Sequence, residues 1–153
     1  MKRHLISFLV IVLIGTLGFL QADTFETFNK VVKDAVPDGF TVNKGQTWNN
    51  RFTYKITYDK DPEGMNRLIF RFNPGKHEFS QVDLAFDHEK FTWQGRNALF
   101  TDGTKTGMSG MSVMLKNKAG GFSITHRAIG GKAMNRAELE KLLSSIALKE
   151  FEK

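Results

Sequence analysis

Apolar and polar residues alternate most clearly between Phe91 and Arg127. Met111, Val113 and Leu115 are interleaved with Ser112 and Lys116, and Phe122 and Ile124 with Ser123 and Thr125. This period of two predicts half-buried strands. Lys116-Asn117-Lys118-Ala119-Gly120-Gly121 between them carries the Asn and Gly residues that a hairpin connection needs. Upstream, Phe91 and Trp93 alternate with Thr92 and Gln94. Gly95-Arg96 interrupts that run before Ala98 and Phe100 resume it, so the stretch reads as a meander.

The same period recurs earlier in the chain. Phe40 and Val42 open a strand that Gly45 interrupts. Phe52, Tyr54, Ile56 and Tyr58 alternate with Arg51, Thr53, Lys55 and Thr57, and Asp61-Pro62-Glu63-Gly64 closes that run as a β-turn. Leu68, Phe70 and Phe72 alternate with Arg67 and Arg71 and end at the turn Asn73-Pro74-Gly75-Lys76. Val82, Leu84 and Phe86 predict a further strand that stops at Asp87-His88-Glu89-Lys90. These turns are too short to hold crossover helices, which argues for antiparallel pairing.

Helical spacing appears only at the two ends. Phe28, Val31, Val32 and Ala35 fall on one face of a helix from about Thr24 to Ala35, with Asp23 as its cap and Pro37 beyond its end. Met134-Asn135-Arg136-Ala137-Glu138-Leu139 combines an Asn cap, Glu at the third helical position and an apolar pair across the cap, which starts a helix over about Arg136 to Ala147. The fold class is α+β, an antiparallel β-sheet meander covered by an N-terminal and a C-terminal helix.

The first residues bear on location. Lys2, Arg3 and His4 precede the apolar run Leu5 to Leu20, and Gln21-Ala22 lead into polar sequence. That is the layout of a secretory signal peptide, with cleavage after Ala22. The run falls short of the roughly 18 residues of a spanning helix. Leu20 is large for its place before the cut, so the competing reading is a retained anchor, through which alone the chain would touch a membrane. Residues 23–153 then form a single α+β domain, periplasmic or secreted. Removing Lys2 and Arg3 with the leader lowers the formal charge from +6 to +4. The chain contains no Cys, so an exported domain of this sequence is held by packing alone.

Three segments together, Trp93-Gln94-Gly95 through Ala98, the strand pair 111–126, and Asn135 to Ile146, resemble the C-terminal half of exported PsbP-like domains. In that group a G-x-x-A strand, a hairpin and a Ser- or Asn-capped final helix follow one another. The resemblance implies an antiparallel sheet between helices and a binding or assembly module without catalysis. It brings no catalytic residues with it.

Candidate chemistry is sparse. Met108, Met111 and Met114 place thioethers three residues apart, soft ligands that select Cu(I), but a straight strand turns Met111 and Met114 to opposite faces. His88-Glu89 begins like a zinc-protease motif, yet Thr92 stands where the second His belongs. His77, His88 and His126 are far apart in sequence, and no metal site or cofactor follows from them. The Gly-rich run Asp102 to Gly110 lacks the order of a phosphate-binding loop and reads as a mobile connection or as a lip presenting Lys105 to an anion. Trp48 beside Asn49 and Asn50, and Trp93 beside Gln94 and Arg96, suit carbohydrate or peptide contact, although packing competes for Trp93. No nucleophile-base signature and no RNA-binding signature is present.

The expectation is therefore a small exported module of the cell envelope that is not an enzyme. It binds an envelope protein or an anionic envelope polymer through its sheet face or Gly-rich loops, with Trp48, Trp93, Arg96 and Lys105 as contact residues, and no nucleic acid. A carrier of lipid or another small apolar ligand is the second reading, motivated by the many Phe, and an unsignposted envelope enzyme the third.

Overall fold

The computed structural model describes residues 24–50, 52–79, 84 and 87–153. Residues 1–23, with the expected leader and Asp23 cap, lie outside these, as does most of the strand expected around Val82 and Phe86; Leu84 itself stands in a turn. Among the described residues eight strands form one antiparallel sheet: β1 (Thr41–Val42), β2 (Trp48–Asn49), β3 (Tyr54–Asp59), β4 (Asn66–Pro74), β5 (His88–Trp93), β6 (Arg96–Thr101), β7 (Met108–Met114) and β8 (Gly120–Ala128). Helix α1 runs over residues 24–33 and α2 over Arg136–Ser144.

The strand order is β1-β3-β4-β8-β7-β6-β5, with β2 also pairing β3. Strands β5 to β8 are the expected meander. The whole sheet is not one, because β8 returns to pair with β4 along nine residues, from Asn66↔Ala128 to Pro74↔Gly120. The β3–β4 hairpin closes as the turn residues dictate: Gly64 N–H donates to Asp61 O at 3.1 Å, with Gly64 at a φ of 65° that favours glycine.

Several boundaries differ from the periodicity, α1 ending at residue 33 and not at Ala35. The strand expected from Phe52 starts at Tyr54, because the Asn50 carboxamide accepts the N–H groups of Phe52 and Thr53 in a local turn and leaves Phe52 70% exposed. The strand begun at Phe40 is two residues long; past it Asn43 caps a short 3₁₀ turn, Lys44–Gln46. His88, Glu89 and Lys90 belong to β5 and not to a turn; last in the order of the described strands, β5 carries charged, exposed residues of the kind that discourage further pairing. Helix α2 ends at Ser144, where Ser145 turns its N–H and hydroxyl back onto Leu142 O, and a 3₁₀ turn, Leu148–Phe151, follows.

One face of the sheet holds the core. Tyr54, Ile56, Tyr58, Leu68, Phe70, Phe72, Phe122, Ile124, Met111, Val113, Ala98 and Phe100 are buried there, together with Phe28, Val31 and Val32 of α1 and Leu139, Leu142 and Leu143 of α2. Phe28 stands 5.9 Å from Phe122 and 6.4 Å from Tyr54, ring to ring, so α1 lies over β3 and β8. After α2 the chain returns to lay Phe151 on Phe72 at 4.6 Å, a ring pair worth roughly 0.5–1.5 kcal/mol beyond its buried area. The expected cap and box of α2 are present: Asn135 Oδ1 accepts Glu138 N–H at 3.0 Å and the Glu138 carboxylate accepts Asn135 N–H at 2.7 Å.

Candidate functional site

The opposite face carries most of the polar and charged strand positions. Residues directly across an antiparallel pair share a face, so the registers line up rows of side chains perpendicular to the strands. One row runs Trp48, Lys55, Arg71, Ser123, Ser112, Leu99, Lys90 across β2, β3, β4, β8, β7, β6 and β5, with Leu99 buried. A parallel row runs Thr57, Ile69, Thr125, Gly110, Thr101, and a third runs Asp59, Arg67, Arg127, Met108. Lys55, Arg71, Ser123 and Ser112 are all partly exposed.

The charges in these rows are unequal. Arg67 Nε lies 3.0 Å from Asp59 Oδ1, and its Nη1 donates to Gln46 Oε1 at 3.1 Å. Asp59 also accepts from Asn43 Nδ2. That pair is held under the Lys44–Gln46 turn, which lies over buried Thr57: Asn43 N–H donates to Thr57 O at 2.7 Å, and the Thr57 hydroxyl donates to Gln46 O at 3.4 Å. One row along, Lys55 faces Arg71. Partial burial, then the positive charges of Arg71 and Arg67, push the Lys55 ammonium below its ordinary value.

Beside the row a cavity of about 260 Å³ opens, lined among others by Arg71, Thr101, Thr106, Ser112, Ser123 and Thr125, with Ile69, Met108 and Ile124 as its apolar share. Hydroxyls, apolar side chains and the Arg71 guanidinium share its wall. The Gly-rich loop forms another part of the wall through Gly103 and Thr106. It is a tight turn: Thr106 and Met108 N–H groups both donate to Gly103 O at 2.9 Å, and Ala128 N–H donates to Gly107 O at 2.6 Å. Glycine is required because a Cβ at 103 would stand 1.9 Å from Met108 O, and one at 107 would stand 2.6 Å from Ala128 O. Lys105 is exposed on the outer side of this turn.

The four contact residues named from the sequence are not brought together. Trp48 is 56% exposed and ends the cationic row. Trp93 and Arg96 lie on the core face, 8% and 6% exposed, where Arg96 Nε and Nη2 donate to the two oxygens of Glu152 at 2.7 Å each and the guanidinium lies over the Trp93 ring at 5.9 Å. Glu152 also accepts Lys116 N–H at 3.0 Å, and its backbone carbonyl accepts from Asn117 Nδ2. Burial alone would raise its carboxyl, but the bonds from Arg96 and Lys116 prevail and hold it below the ordinary range. These two residues thus tie the chain end to the β5–β6 and β7–β8 turns. The methionines divide as strand geometry requires: Met108 and Met114 sit on the second face, Met111 in the core, so the three thioethers share no site.

The residues that sequence reasoning passed over are Lys55, Arg71, Ser112 and Ser123. Their signal was the polar half of each alternation, read as solvated surface. With the 61–64 turn closing the hairpin, Lys55 and Arg71 fall opposite each other, and that much was available.

A Ser and a His do meet in the fold. Ser109 and His126 are paired across β7 and β8 and both are buried. Each grips the same residue: the Ser109 hydroxyl donates to Met134 O at 2.5 Å, and Met134 N–H donates to His126 Nδ1 at 2.9 Å. The proton of His126 therefore sits on Nε2, which donates to Asn66 Oδ1 at 2.9 Å. Burial chiefly, with Lys60 adding and Glu138 opposing, depresses the imidazole. Hydroxyl and imidazole hold the approach to α2 and are not bonded to each other. No family model, curated protein or solved structure matches this chain.

Proposed function

We propose that the chain is an exported binding module of the cell envelope, without catalysis of its own, that takes an anionic envelope polymer on the sheet face opposite its helices. The helices and the chain end cover one face; the other is the contact surface. One observation carries this reading: on the sheet face opposite the helices Lys55 pairs across the strands with exposed Trp48, and its ammonium is depressed by burial first and then by the positive charges of Arg71 and Arg67. A local excess of positive charge of this kind attracts a polyanion. The apolar leader supports export, and the resemblance to PsbP-like domains supports a module that binds without chemistry.

The test uses protein isolated after expression of the full chain, titrated by calorimetry with polygalacturonate and with neutral dextran. Polygalacturonate should bind and weaken steeply between low and moderate salt, dextran should not bind, and Lys55→Met with Arg71→Met should abolish the difference. Polyanion binding that survives the double variant, or no binding at all, contradicts the proposal.

A further inference from the structure

A second surface lies along the rim of the sheet beyond β3. Strands β1 and β2 pair with β3 on the side that it does not share with β4, and each is two residues long. Five large apolar side chains stand exposed among the described residues, and three of them fall on this rim: Val42 at 46%, Trp48 at 56% and Phe52 at 70%. The fold itself displays Phe52. Asn50 Oδ1 accepts the Phe52 N–H at 2.8 Å and the Thr53 N–H at 2.9 Å, which turns the chain at the tip of the β2–β3 hairpin and keeps Phe52 out of β3. The charge of the segment is one-sided: from Gly39 to Tyr58 the sequence holds Lys44, Arg51 and Lys55 and no Asp or Glu. The next acid, Asp59, lies 3.0 Å from Arg67.

Each observation narrows the partner. Exposed apolar side chains grouped on one element and bordered by polar ones mark an interaction surface. A protein strand added to the rim would need a long run of free backbone, and two-residue strands broken by the Lys44–Gln46 turn do not offer one. A polyanion would leave Val42 and Phe52 in water. A membrane surface uses every part. Aromatic rings enter the boundary between headgroups and acyl chains, lysine stems lie along apolar surface with the ammonium among the headgroups, and anionic lipids attract nearby basic residues. We infer that this rim is a docking edge for an anionic lipid membrane, with Trp48 and Phe52 in the interface and Lys44 and Lys55 at its phosphates. The contact goes beyond the polymer reading, borders that surface at Trp48 and Lys55, and does not depend on the leader.

Trp48 is a built-in reporter, because Trp93 is buried on the other face. Vesicles whose lipids carry brominated acyl chains, which quench an indole they touch, are titrated into protein isolated after expression of the full chain. Vesicles containing phosphatidylglycerol should quench saturably at low salt and about tenfold more tightly than phosphatidylcholine alone. Trp48→Phe should remove the quenching. Phe52→Ser should weaken it about tenfold and leave the melting temperature and polygalacturonate binding unchanged, since Phe52 is exposed and lies outside the row of Lys55. Absent quenching, equal quenching by phosphatidylcholine, or quenching indifferent to Phe52→Ser overturns the inference and leaves the polymer reading standing. Quenching without polygalacturonate binding upholds the inference and removes the polymer reading. If Phe52→Ser loses polygalacturonate and vesicles never quench, the rim belongs to the polymer surface and the inference falls. An indole signal that follows protein concentration without lipid would mean that a second copy covers the rim, and overturns it as well.

Discussion

Lys55 and Arg71 stand directly opposite each other across the β3–β4 pair, on the side of the sheet away from the helices. Burial first, and then the positive charges of Arg71 and Arg67, depress the Lys55 ammonium, so holding it charged at this place costs the fold stability. Lys55→Met is therefore predicted to raise stability by up to about 1 kcal/mol and to weaken polyanion binding in the same protein. Urea unfolding and calorimetry on one preparation check the two signs. A variant that loses stability and keeps affinity would show that the pair is not held for a ligand.

Arg96 was a contact candidate by sequence, and the fold places it in a buried ion pair with Glu152. Removing one member of such a pair leaves an uncompensated charge, at a cost of roughly 3–5 kcal/mol. Arg96→Met should lower stability by that order, and the paired change Arg96→Met, Glu152→Met should recover most of the loss, since a buried pair replaced by apolar groups is often neutral. Polyanion affinity should stay within twofold in the double variant. A tenfold loss there would return Arg96 to the binding surface.

Acid should loosen the approach to α2. His126 has its folded value depressed, chiefly by burial, so the unfolded chain takes up the proton first. Its contribution to stability is fully present above the ordinary histidine value near 6.5 and is lost as pH falls from there through the folded value. Protonation also turns Nδ1 from acceptor to donor and breaks the bond from Met134 N–H. Glu152 behaves alike at lower pH: its contribution is present above the unfolded value near 4.5 and disappears as pH falls through its depressed folded value. Melting temperatures against pH should fall in two steps. His126→Asn should erase the upper step and leave the lower, and an upper step that persists would assign it elsewhere.

The tight loop beside the cavity gives a fourth prediction. Gly107 has a φ of 71° and no room for a Cβ, and Gly103 presses on the backbone of β7. Gly107→Ala should cost on the order of 1–3 kcal/mol. Lys105→Ala, on the outer side of the same turn, should leave the melting temperature unchanged. Thermal unfolding of the two side by side distinguishes a strained turn, which the geometry requires, from a slack one that tolerates both.

What could be read in advance follows from how local each feature is. The alternation of Tyr54 to Tyr58, the Asp61-Pro62-Glu63-Gly64 turn and the Asn135–Glu138 box are written in a few adjacent residues, and each is present in the fold. The pairing of β8 with β4 joins segments some fifty residues apart, from Asn66↔Ala128 to Pro74↔Gly120, and no short pattern encodes it. It is this pairing that places Ser123 beside Arg71 and extends two cations into a row. Arg96 misled for the opposite reason: its partner Glu152 comes from the end of the chain, and beside Trp93 it looked like a surface pair. Phe52 followed the period of its strand, but the Asn50 side chain took the backbone N–H groups that the strand would have used.

The face opposite the helices is the element on which the account depends, and amide chemical-shift mapping examines it most directly. Oligogalacturonate titrated into labelled protein should move the amides of Lys55, Arg71, Ser112, Ser123 and Thr125 and the Trp48 indole N–H, leaving α2 and the Arg96–Glu152 corner still. Shifts confined to the helices or to that corner, with the second face silent, would contradict it.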